Sequence, residues 1–158
     1  MSDLSFRHAR REDLPRLVEL LADDSLGSAR EVSGATLAPT YDEAFGAIDA
    51  DPHQELVVLE LEGSGVVGML QITYTPYLTY QGGWRATVES VRIARSERGQ
   101  GLGRALMEDA MDRARRRGCH MLQLTTDRRR PDAVRFYEGM GFVNSHDGFK
   151  HRFAAETD

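Results

Sequence analysis

One cysteine, Cys119, and one lysine, Lys150, stand in a chain of 158 residues, and each scarcity excludes something. A lone thiol allows no internal disulfide, which fits a reducing compartment. Unbroken apolar runs are short: stretches such as Val66-Val67-Gly68-Met69-Leu70 fall far below the ~20 residues a membrane-spanning helix needs. The opening segment, Met1-Ser2-Asp3-Leu4-Ser5-Phe6-Arg7, has no apolar signal core, so the expectation is a cytoplasmic protein with no membrane partner. Repeats and low-complexity segments are also missing, while 41% hydrophobic residues suffice for one sizeable core. A single domain over residues 1–158 is expected. The five histidines, His8, His53, His120, His146 and His151, show no metal-ligand spacing, so no metal is expected.

The net charge of −5 is unevenly spread. Residues 1–83 hold 14 acids against 5 bases, and residues 84–158 hold 11 acids against 15 bases. An anionic ligand on the C-terminal half and a cationic one near the N-terminal half is the simplest electrostatic reading. The arginine clusters at residues 113–117 and 128–130 raise the question of nucleic acid. An acidic chain without aromatics interleaved among those arginines argues against it.

Hydrophobic period gives a strand at Leu4 to His8, a helix at Arg11 to Ala22, a long loop from Asp23 to Pro39, and a helix at Tyr41 to Ala50. Strands at 55–61 and 66–75 meet around Glu62-Gly63-Ser64-Gly65, a hairpin signal, and a third runs from Arg85 to Ala94. A helix follows at Gly101 to Arg117, then a strand at Cys119 to Thr125 and a helix opening at Pro131. Phe142 to Val143 and Phe149 to Phe153 read as a last hairpin. The order predicts an α/β sandwich: a mixed, mostly antiparallel sheet of about seven strands with four helices, closing in one parallel, right-handed crossover.

At the start of that crossover lies Arg98-Gly99-Gln100-Gly101-Leu102-Gly103-Arg104. Glycines free backbone N–H groups to face an anion, and the helix beyond adds its unpaired N–H groups and positive dipole end. This is a phosphate cradle, but not a familiar nucleotide one. A dinucleotide fingerprint begun at Gly99 would need glycine where Arg104 stands, and a P-loop would end in Gly-Lys-Ser/Thr, whereas the chain's only lysine is Lys150.

The residues resemble the GNAT superfamily of acetyl-CoA-dependent N-acetyltransferases. Arg98, Gly101 and Gly103 meet its Gln/Arg-x-x-Gly-x-Gly/Ala loop pattern, and Ala133, Phe136, Tyr137, Glu138, Gly141 and Phe142 meet its later Ala-x-x-Phe/Leu-Tyr-Glu-x-x-Gly-Phe pattern. The similarity covers residues 85–143 closely and the rest by element order. It implies splayed parallel strands 4 and 5, with the pyrophosphate of acetyl-CoA on the backbone of Arg98, Gly99, Gln100, Gly101, Leu102, Gly103 and Arg104. The pantetheine arm would lie along Val91, Arg92 and Ile93. Tyr137 matches the tyrosine that protonates the departing thiolate, and its alternative is core packing.

Strand alternation sets Thr87, Glu89, Val91 and Ile93 on one face, which offers Glu89 as the general base for an amine of pKa ~10. A surface-facing or ion-paired glutamate is the alternative. The resemblance also has a gap: the family asparagine three residues before Ala133 is Arg130 here, and no pantetheine role passes to it. Cys119 opens a buried strand without an obvious base, so it reads as core rather than nucleophile.

The implied function is direct transfer of an acetyl group from acetyl-CoA to a primary amine. The acidic N-terminal half favours a small cationic acceptor. Its pocket is expected between residues 25–41 and 74–84, with Tyr74, Tyr77, Tyr80 and Trp84 as aromatic candidates. Two alternatives stay open: a non-catalytic acyl-CoA-binding sensor, and a protein Nα- or lysine acetyltransferase. Family resemblance also implies a homodimer.

Overall fold

A computed structural model describes residues 3–154. Nine longer elements follow in order: β1 (Leu4–His8), α1 (Leu14–Ala22), α2 (Pro39–Ala50), β2 (Gln54–Leu61), β3 (Gly65–Pro76), β4 (Trp84–Ile93), α3 (Leu102–Arg116), β5 (Met121–Leu124) and α4 (Pro131–Gly139). Single helical turns sit at Arg11–Asp13, Gly27–Arg30, Thr79–Gly82 and Arg95–Glu97. The chain divides into two compact units between Gln123 and Leu124.

The first unit is built on a sheet of order β1-β2-β3-β4-β5, antiparallel from β1 to β4, with β5 parallel to β4. Val57, Val58 and Leu59 are consecutive and all fully buried. Successive strand side chains alternate between faces, so both faces of β2 are covered at that point. The hairpin between β2 and β3 forms where expected, with Gly63 and Gly65 at φ +83° and +72°, values that glycine adopts without steric cost. Helix α1 buries Leu17, Val18 and Leu20 and packs against β3 and β4, while α3 buries Leu106, Met107, Ala110 and Ala114 against the same two strands.

One irregularity shapes the site. Along β3 and β4 the register runs Ile72 with Val88, Gln71 with Glu89, then Met69 with Arg92. Two steps on β3 thus oppose three on β4, the signature of a bulge, and Ser90 supplies it with a left-handed φ of +58°. An extra residue flips the side-chain parity beyond it. Glu89 therefore shares a face with Arg92, while Val88 shares the other with Ile93. The expected common face of Thr87, Glu89, Val91 and Ile93 is corrected accordingly.

The second unit carries α4 and the segment beyond it. Phe136 and Phe142 set their rings edge-on to Tyr137, with centroids 5.1 and 5.7 Å away. The expected last hairpin does not form: residues 142–153 contain no strand, and Val143, Phe149 and Phe153 are 83%, 95% and 100% exposed. An alternating segment holds as a strand only where a partner ladder and a covered face reward it. The described residues therefore hold five strands rather than about seven, and four helices longer than a turn.

Candidate active site

Strand β4 organises the site because three features lie along its length. At its C-terminal end the chain makes the turn at Arg95–Glu97 and enters the glycine loop. Gly99 and Gly101 take φ of +77° and +80°, and no neighbouring atom lies within 4 Å of where a Cβ would stand on either. Helix α3 begins at Leu102 on Gly101, with no side chain capping its first N–H groups. The loop therefore offers bare backbone donors, and the positive end of a 15-residue helix, to open space.

Arg98 plays a different part from its neighbours. Its Nε–H donates to the Ile93 carbonyl at 3.1 Å, and its Nη2 donates to the Asp23 carbonyl at 3.4 Å. Arg95 adds an ion pair to the Asp23 carboxylate at 3.3 Å. Arg98 thus pins the loop to the end of β4 and to the end of α1. Beside it, Arg92 Nη1–H donates to the Val91 carbonyl at 2.9 Å.

At the middle of β4 is Glu89, exposed and set beside Gln71 by register. No described residue forms a hydrogen bond or ion pair with its carboxylate. The surface-facing alternative is met in exposure, and the ion-paired one is not. Its surroundings on that face are polar: Gln54 Oε1 accepts from Gln71 Nε2 at 3.0 Å and from Thr73 Oγ1 at 2.8 Å, and Gln123 Nε2–H donates to Thr87 Oγ1 at 3.1 Å.

At the N-terminal end of β4, Arg85 Cζ lies 4.3 Å from the Tyr77 ring centroid and 5.4 Å from that of Tyr80. Trp84 sits 5.3 Å from the His53 ring, and Tyr80 sits 4.7 Å from the His120 ring. Of the four aromatic candidates, Tyr74 is removed from contact with ligand. It is 2% exposed, donates its hydroxyl to Glu55 at 2.6 Å, and lies under the Arg117 guanidinium. Burial, reinforced by the Glu55 carboxylate, pushes its hydroxyl well above the ordinary phenol range.

Cys119 is half-buried, and burial pushes its thiol up, the opposite of an activated nucleophile. Tyr137 belongs to the second unit, half-buried on α4. Arg130 precedes α4 and accepts the Ala133 N–H on its carbonyl at 3.1 Å. No group of histidine, cysteine and acid side chains suited to a metal occurs among the described residues. Sequence alone missed the β4 bulge, because Ser90 carries no glycine signal for its left-handed backbone. It missed Arg85 as well, whose setting depends on two tyrosines in a loop without periodicity.

The model of the acetyltransferase (GNAT) family matches residues 14–142, across both units. The chain belongs to the GNAT acetyltransferase family. Among curated relatives, a streptothricin acetyltransferase from Streptomyces lavendulae is 30% identical over 82% of this chain, which spans only 58% of that protein's length. An aminoalkylphosphonate N-acetyltransferase from Salmonella typhimurium is 27% identical over 90% of this chain and 87% of its own. Among solved structures, a transcriptional regulator from Bacillus halodurans C-125 is 51% identical with a TM-score of 0.91, covering 96% of this chain and all of that one. The GNAT chain thus has acetyltransferases among its curated relatives, and its fold is shared by solved structures.

Proposed function

We propose that this GNAT protein transfers the acetyl group of acetyl-CoA to the primary amine of a small molecule by direct attack, within one acetyltransferase domain. The observation that carries the reading is the layout of β4, which joins an open backbone cradle at one end to an unpaired, exposed carboxylate four residues before the strand's last residue. The cradle fits a coenzyme pyrophosphate. Gly99 and Gly101 leave the space a side chain would fill, and the α3 N-terminus favours negative charge. Residues 98–104 would hold the pyrophosphate and the backbone of residues 91–93 the pantetheine arm. When bound, acetyl-CoA supplies an acetyl group already activated as a thioester.

The chain's own residues do the rest. An ammonium of pKa ~10 must lose a proton before its nitrogen can attack, and Glu89 accepts that proton directly or through water. A bulge leaves the inserted residue out of the ladder, so the backbone around Ser90 can donate an N–H to the oxygen that becomes negative. The Tyr137 hydroxyl holds the proton that the departing sulfur takes up, since phenol and thiol differ by only ~1.5 units.

Two named relatives support a small-molecule amine: one acts on streptothricin and one on an aminoalkylphosphonate. The Bacillus halodurans neighbour, a transcriptional regulator, favours a second reading, a sensor that binds acyl-CoA without catalysis. Free-thiol release from acetyl-CoA over a panel of amines, amino acids, aminoglycosides and peptides separates them. Amine-dependent release supports the enzyme. Tight coenzyme binding with no release from any acceptor supports the sensor.

A further inference from the structure

Arg85 is a half-buried arginine that no carboxylate among the described residues neutralises. Its Nη2–H donates to Thr79 Oγ1 at 3.1 Å, but its Nε is buried with no hydrogen-bond partner. Two other half-buried arginines of the first unit, Arg7 and Arg113, are satisfied differently. Arg7 meets both Asp13 and Glu60 at 2.8–2.9 Å, and Arg113 meets Asp109 at 2.6 Å and Glu55 at 3.8 Å. A buried guanidinium donor without an acceptor is costly, and two tyrosine faces offset only part of that cost.

The loop that holds those tyrosines is itself under strain. Tyr80 and Gln81 both adopt left-handed backbone, φ +53° and +57°, where side chains other than glycine's crowd the carbonyl. The conformation is fixed from two sides. Gly83 permits the close approach of His120, whose ring would lie 2.6 Å from a Cβ there, and Tyr80 stacks on that same ring. Backbone strain held in this way is common at ligand clamps. Here it lays Tyr80 beside Arg85 and leaves the residue 68% exposed.

Arg85, Thr87 and Glu89 alternate along one face of β4, paired with Thr75, Thr73 and Gln71. Four residues at ~3.3 Å each separate the Arg85 and Glu89 backbones by ~13 Å, the scale of a small molecule with two charged ends. Between them lie the Thr73 and Thr87 hydroxyls and the Gln123 amide.

We propose that Arg85, clamped by Tyr77 and Tyr80, is an oxyanion subsite for the acceptor, which is an amine that also carries a carboxylate or phosphoryl group. The amine lies toward Glu89 and the oxyanion on the free edge of the guanidinium. The assignment rests on the acetyltransfer reading for its amine end, but its anion end is tested without turnover.

The experiment is calorimetric titration of the protein saturated with coenzyme A. The probes are an ω-amino carboxylate, an aminoalkylphosphonate and the plain alkylamine of matched length. A guanidinium–oxyanion bond predicts that one of the anion-bearing amines binds at least ~10-fold tighter than the alkylamine. Whichever of the two binds tighter names the group. Arg85→Gln should reduce that preference to within ~2-fold, and Arg85→Lys, which keeps charge but not the planar fork, should restore part of it. Coenzyme A affinity serves as the check that each variant is folded. Equal binding of all three amines by the wild type overturns the subsite, as does a preference that survives Arg85→Gln. If the preference is present but no amine is acetylated, the subsite stands and the catalytic reading falls.

Discussion

Two tyrosines of this chain separate packing from chemistry. Tyr74 is sealed beneath Arg117 with its hydroxyl committed to Glu55, so Tyr74→Phe should leave the acceptor KM unchanged. It should also cost ~1 kcal/mol of stability, because the half-buried Glu55 carboxylate loses one of its donors. Urea unfolding beside steady-state kinetics checks both halves. Tyr137→Phe should do the reverse. Loss of the proton donor should lower kcat by ~100-fold with little change in the acetyl-CoA KM. Full turnover in that variant would remove the acid role. Residue identity alone could not distinguish these two tyrosines. The motif around Tyr137 was legible because its residues stand at fixed spacing on α4 and just beyond it. The burial of Tyr74 depended on Glu55 and Arg117, 19 and 43 positions away in the chain.

Among the elements, β4 and the loop after it hold the cradle and the Glu89 carboxylate. The loop was legible down to its glycines, because left-handed backbone at Gly99 and Gly101 is what glycine spacing encodes. Since nothing crowds a Cβ at Gly101, the cost of Gly101→Ala is conformational. It should destabilise the fold by ~1–2 kcal/mol and weaken acetyl-CoA binding, as seen by titration. Binding as tight as in the wild type would separate the loop from the coenzyme. The bulge was illegible, since strand alternation carries no marker for one extra residue, and the parity beyond Ser90 follows from it. The last hairpin was over-read for the opposite reason. Its alternation is present in Phe149, His151 and Phe153, but no ladder partner exists for it among the described residues.

Across the first unit, the uneven charge of the sequence resolves into cross-links. Asp23 pairs with Arg95 and Arg98, and Glu55 with Arg113 and Arg117, so acids of the N-terminal half neutralise bases of the C-terminal half. Part of the acidic excess therefore serves assembly, which weakens its use as a guide to a cationic acceptor. Ion pairing also sets an acid limit on stability. Arg7 holds the Asp13 carboxyl below the usual carboxylate range, chiefly through its hydrogen bond, with help from the Arg10 backbone N–H. A lowered carboxyl contributes stability above its unfolded value of ~3.9 and loses it as pH falls through the folded one. Wild-type stability should thus drop below about pH 4 more steeply than that of Asp13→Asn, by thermal unfolding across pH.

The central claim is that β4 brings a coenzyme cradle and a general base into one reaction, and the pH–rate profile of amine-dependent thiol release tests it most directly. For the wild type, kcat/KM should rise with pH to a plateau as the amine loses its proton. For Glu89→Gln, kcat should fall by ~100-fold and the rising limb should follow the free amine alone. An unchanged rate and profile in Glu89→Gln would contradict the account.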